Sequence, residues 1–146
     1  MTADEFAQRA ATRLPSAHRD YFDGAAADEH TLAANRSDWA ALRLWPRVLR
    51  PLIQADTHTR IGPHAVAHPI WLAPVAYQRL AHPEGERATA MAAAAQGAGM
   101  VLSCQSSVEV ETVARAFADE PAAGPLWFQL HAQPDPGRTR ALAQRA

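Results

Sequence analysis

Three short apolar runs constrain the fold most. PIWLAPV from Pro69, GMVLSC from Gly99 and PLWFQLH from Pro125 are each followed by a helix-start signal and a helical stretch. They recur at about 30 residues, the length of a strand with its crossover helix. Strands without polar alternation are buried on both sides, so the pattern predicts a parallel α/β sheet with helices on both faces. In HPEGE, Pro83 is the expected first helical residue, Glu84 and Glu86 complement the helix dipole, and the helix closes near Gly97 and Gly99. Ser106 and Glu109 have capping-box spacing for the second helix, whose Val110, Val113, Ala114 and Phe117 form an apolar stripe. Asp135 and Pro136 open a third helix that is expected to run to the last residue. Three parallel strands alone leave an edge unpaired and little surface covered, so the chain is expected to continue beyond Ala146.

The residues before Pro69 have a different rhythm. Thr2 and Glu5 form a capping box for a helix with Phe6, Ala10 and Leu14 on one face, stopped by Pro15. Ser16 is the expected cap of a shorter helix that carries Tyr21 and Phe22 and ends near Gly24, and a third helix is expected from Asp28 through Trp39. From Trp45, Pro46, Pro51, Gly62 and Pro63 punctuate an extended connector with room for one hairpin. The organisation expected is a helical segment and connector over 1–68, then three βα units over 69–146.

Composition removes several classes of function. All 14 basic residues are Arg, and 15 acids bring the net charge to −1, so nothing marks a nucleic-acid surface. No apolar run approaches the roughly 20 residues that span a bilayer. The single Cys104 excludes an internal disulfide, and the N-terminus has no apolar signal core, which points to a cytoplasmic protein. No G-x-G-x-x-G follows a strand, which argues against a dinucleotide-binding domain. The remaining expectation is a small-molecule partner.

In parallel α/β proteins chemistry gathers at the C-terminal ends of the strands. That rule selects Val75, Ala76 and Tyr77, then Ser103, Cys104 and Gln105, then Gln129 and His131. The set holds hydrogen-bonding groups but no carboxylate pair, so it suits a flat heterocycle across the strand ends better than acid/base hydrolysis.

The blocks YFDGAAADEHTLAANR, WPRVLR, APVAYQRLAHPEGE, LSCQSSVEVETVA and WFQLH resemble, in order and spacing, the N-terminal part of the FMN-dependent α-hydroxy-acid oxidases and dehydrogenases. The likeness covers nearly the whole chain, and APVAYQRL with HPEGE is most similar to the mandelate and hydroxymandelate oxidase branch. The resemblance implies the N-terminal part of a (β/α)8 TIM barrel that binds FMN and oxidises an L-2-hydroxy acid to the 2-oxo acid. It implies flavin contacts from Val75, Ala76 and Tyr77, mainly through backbone, and from Ser103 and Gln129. Tyr21 would reach the substrate carboxylate. His131 stands where the family's strand ends in a substrate-contacting Tyr, a departure that bears on substrate binding because imidazole donates one hydrogen bond but differs in reach. The family's catalytic His, its Lys beside the flavin and its carboxylate-clamping Arg residues belong to later strands, so no catalytic residue is expected here. The chain alone is expected neither to hold FMN tightly nor to turn over. Relatives suggest a tetramer for the full-length form.

Other eye-catching residues receive plainer readings. His58, His64 and His68 lack the supporting ligands of a metal site. His82 reads as a helix-start residue, Cys104 as an inert thiol, and Trp39, Trp45, Trp71 and Trp127 as packing groups. The alternative to the enzyme is a non-catalytic remnant or interaction module that pairs through its open strand edge.

Overall fold

The computed structural model describes residues 1–51 and 53–146. The chain divides into two compact units, Met1–Gln54 and Ala55–Ala146.

The first unit holds three helices, α1 (Ala3–Ala11), α2 (Ser16–Asp23) and α3 (His30–Ala41). The capping box at α1 is formed as expected: Thr2 accepts from the Glu5 N–H at 3.3 Å and Glu5 accepts from the Thr2 N–H at 2.8 Å. Arg19 closes the other end of α1 by donating to the Ala11 carbonyl at 3.2 Å. Two cap expectations are corrected. Pro15, not Ser16, caps α2, because proline's fixed φ already sets the extended entry and Ser16 becomes helical. For α3 the cap is Glu29 in the left-handed region, φ 57°, with no side-chain cap bond, so the helix begins after Asp28. No described residue of this unit is buried.

The second unit opens with an antiparallel hairpin, β1 (Thr59–Ile61) and β2 (His64–Val66), turned at Gly62. Then follow β3 (Trp71–Leu72), a 3-10 turn over Gln78–Leu80, α4 (Glu86–Ala95), β4 (Gly99–Ser103), α5 (Val110–Ala118), β5 (Leu126–Gln129) and α6 (Pro136–Arg145). The three apolar runs therefore contain β3, β4 and β5, paired in parallel in the order β3-β4-β5.

The register explains the core. Leu72, Met100 and Leu126 form one row across the sheet, and Leu102 and Phe128 the next row on the same face. This face packs on Ala90, Ala93 and Ala94 of α4 and on Val113 and Phe117 of α5. The alanine run of α4 lets that helix approach closely, while α5 delivers the stripe read from the sequence.

The expectation of helices on both faces is corrected, since α4 and α5 meet the same face. Sequential strands joined by crossovers of one hand put successive helices on one side. The opposite face carries Trp71 on Gly99, then Val101 with Trp127, then Ser103 with Gln129, and Trp127 stays 42% exposed. Trp71 and Trp127 meet edge to face, ring centroids 4.5 Å apart.

Two helix starts also differ from expectation. Pro83 lies in the turn before α4, whose cap is Gly85 at φ 51°, ψ −136°, a conformation suited to glycine. Ser106 does not cap α5; its hydroxyl donates to the Val108 carbonyl at 2.6 Å, forming a local turn, and Glu109 is the cap residue without a side-chain bond. At α6 the reading holds: Asp135 accepts from the Gly137 N–H at 2.8 Å, with Pro136 in the first turn. Arg145 then grips Glu111 of α5 through two bonds of 2.9 Å, which holds the Glu111 carboxyl below its ordinary value of 4.5.

Candidate functional site

Ser103 and Gln129 are register partners at the last positions of β4 and β5, so their side chains leave the same face side by side. Ser103 is 2% exposed, and its hydroxyl accepts from the Gln105 N–H at 3.1 Å. Among the described residues nothing accepts its proton, and the Gln129 side-chain amide has no protein partner, so a donor hydroxyl sits beside a free donor–acceptor amide.

The loop after β3 lies against the same rim. Tyr77, in the left-handed region at φ 54°, donates its N–H to the Gln105 carbonyl at 3.2 Å, and its own carbonyl accepts from Leu80 at 2.9 Å. The Val75 carbonyl accepts from Gln78 Nε2 at 3.2 Å. These bonds narrow the backbone groups open to a ligand along Val75–Tyr77: the N–H of Val75 and both backbone groups of half-buried Ala76 have no protein partner among the described residues.

His131 follows β5 and is exposed. Its N–H donates to Cys104 Sγ at 3.4 Å, while the Cys104 N–H donates to the Gln129 carbonyl at 3.0 Å. Cys104, a residue without an expected role, thus ties two strand tips together. The second unit gathers Val75, Ala76, Tyr77, Ser103, Gln129 and His131 at one end of its sheet. Tyr21 belongs to the first unit, on α2, with its ring edge to face against Phe22 at 5.2 Å.

One residue of this region escaped the sequence reading. Glu86 does stand in the first turn of α4, as the dipole reading expects, but the sequence does not show what else it does; Glu84, before the helix, pairs with Arg87 at 3.6 Å. Glu86 itself is 0% exposed. Its Oε1 accepts from the Gln78 N–H at 3.0 Å and the Ser107 N–H at 2.9 Å, and its Oε2 accepts from the Ser107 hydroxyl at 2.7 Å. Burial alone would push this carboxyl up, but the hydrogen bonds from Ser107 and Gln78 outweigh it and hold the group below 4.5.

The histidines are separately occupied. His58 contacts Asp56, His68 Nε2 lies 3.0 Å from the Gln96 carbonyl, and His64 faces the Trp127 ring at 6.5 Å. His82 Nδ1 accepts from the Glu84 N–H at 3.3 Å, a helix-start contact. Among the described residues no three His, Cys, Asp or Glu side chains are grouped to hold a metal.

A sequential parallel sheet with helices on one face defines an α/β protein, and proteins of that class as a rule bind their ligands at the carboxyl ends of the strands. Within that class the chain belongs to the FMN-dependent dehydrogenase family, matched over residues 10–146. FMN is that family's cofactor.

An L-lactate oxidase of Roseobacter sp. is 42% identical over 146 residues, covering 100% of this chain and 38% of the relative. Glycolate oxidase 3 of Oryza sativa subsp. indica is 38% identical over 142 residues, covering 97% and 37%. Among solved structures, mandelate oxidase with (S)-4-hydroxymandelic acid superposes with a TM-score of 0.86 at 36% identity, covering 98% of this chain and 39% of that one. A mandelate oxidase variant carrying the C4a-OH-FMN adduct gives 0.83 at 38% identity, covering 96% and 41%. The chain spans about 38% of the length of the first of these curated relatives.

Proposed function

We propose that this chain supplies one wall of the active site of an FMN-dependent oxidoreductase that converts L-2-hydroxy acids, mandelate-like ones among them, to 2-oxo acids. Its β3, β4 and β5 are the first three strands of a (β/α)8 barrel, which the sequential parallel order and the likeness to mandelate oxidase support. The carrying observation is the Ser103–Gln129 pair, in register on one face with unused hydrogen-bonding capacity.

The residues present fit the flavin's polar edge. Ser103 donates one hydrogen bond to it, Gln129 offers a donor and an acceptor, and the small Ala76 presents its backbone where a flat ring can approach. Val75 and Tyr77 flank that contact, with Tyr77 fixed by its bond to Gln105. Bound FMN supplies the acceptor for the electrons that leave the hydroxy acid. On this reading Tyr21 binds the substrate carboxylate, and His131 presents an imidazole to the substrate. No residue of this chain is assigned the role of base, and the 146 residues by themselves neither hold FMN tightly nor turn over.

The alternative, a module that docks through its sheet edges, has in its favour that β3 and β5 each pair on one side only among the described residues. It gives no account of the open polar groups on the sheet face. The deciding experiment reconstitutes the intact gene product with FMN and adds L-mandelate or L-lactate without oxygen. A flavin spectrum that bleaches with the L-acid and not the D-acid is expected; no flavin absorbance after added FMN overturns the proposal.

A further inference from the structure

The carboxylate of Glu86 is buried at the base of the strand-tip loops. It has no cation partner within 4.0 Å among the described residues, and a charge taken out of water in this way is costly unless its hydrogen bonds are all made. Here they join two loops. Through Ser107 the carboxylate holds the segment leading to α5, and Ser107 Oγ in turn accepts from the Arg79 N–H at 3.0 Å. Through the Gln78 N–H it holds the turn after β3, and the Gln78 side chain reaches the Val75 carbonyl at one end and the Thr89 hydroxyl at the other. Tyr77, one residue before Gln78, bonds Gln105 beside Ser103.

We propose that Glu86 is a positioning residue for the flavin rim: its carboxylate sets the spacing between the tip that follows β3 and the tip that follows β4. The inference rests on the proposed function, because those tips carry Ala76 and Ser103. Oε1 takes the N–H groups of both loops, and only an acceptor with a second oxygen and no proton takes the Ser107 hydroxyl as well, which is why the site keeps a charge where a neutral amide would be less costly to bury. Gly85 completes the device. A Cβ there would stand 2.9 Å from Arg79 Cγ and 3.3 Å from Ser107 Oγ, so only glycine lets the carboxylate turn in beneath both loops.

The test uses the intact gene product, with FMN as the probe. In E86Q one oxygen still accepts from both backbone N–H groups, but the bond from the Ser107 hydroxyl is lost. The FMN dissociation constant is expected to rise about tenfold, the worth of one hydrogen bond to a charged group. The visible circular dichroism of the bound flavin should change with it, and amide exchange at Gln78 and Ser107 should quicken. V113A, which weakens the core without touching the loops, serves as the control for mere loss of stability and should leave FMN affinity and the flavin signal unchanged. If E86Q does not fold, S107A replaces it, with the same direction expected. Wild-type affinity and flavin dichroism in the folded variant overturn the inference alone, and so does an equal loss in V113A. A wild-type protein that binds no FMN overturns the functional reading and this inference together.

Discussion

Individual residues in this chain are chosen by what lies over them. Gly99, read from sequence as part of a helix stop, is the first residue of β4 and lies under the Trp71 indole; a Cβ there would fall 2.4 Å from two ring atoms. Gly99→Ala must displace a large aromatic that also packs edge to face on Trp127, so it should cost about 1–3 kcal/mol, the usual range for overpacking. Urea denaturation of the chain checks this, and a Trp71→Leu background should recover much of the loss. A single sequence shows that glycine precedes a strand, but not which neighbour's ring will rest on it. Glu86 carries the same lesson: its type and place were legible, its burial was not, because that depends on Ser107, 21 residues away.

At the scale of elements, the sequence was most informative where a local rule sufficed. The Thr2–Glu5 box and the Asp135 cap depend on residues within three positions, and both form as read. The caps assigned to Ser16 and Ser106 failed because a competing local geometry, proline's extended entry in one case and a hydroxyl turn in the other, took the position. Amphipathic α5 was equally plain: its stripe places Val113 and Phe117 against Leu102 and Met100. Phe117→Ala should cost about 3–5 kcal/mol through the cavity it leaves, measured as a lower urea midpoint at unchanged slope. A loss under 1 kcal/mol would mean that α5 does not depend on this contact. The parallel order was legible from alternating strands and helices. That α4 and α5 pack on one and the same face was not, since nothing local states which side a crossover takes.

For the molecule as a whole, the strand-end rule selects a set of residues that the second unit brings to one end of its sheet, the place where the proposed function puts the flavin. It could not say which of those groups would be spent inside the protein. Tyr77's backbone is tied to Gln105 and Leu80, and Val75's carbonyl to Gln78, so among the described residues the polar capacity left at the rim includes the Val75 N–H, the Ala76 backbone, Ser103 and Gln129. No helix among the described residues is long and apolar enough to cross a membrane. The central claim is that these strand tips face the flavin. The measurement that bears on it most directly is an FMN titration of the intact gene product carrying Ser103→Ala and Gln129→Ala together, with folding monitored in parallel. Loss of two hydrogen bonds to the cofactor should weaken binding by about a hundredfold while the fold persists; a folded double variant that binds FMN as tightly as the wild type would contradict the account.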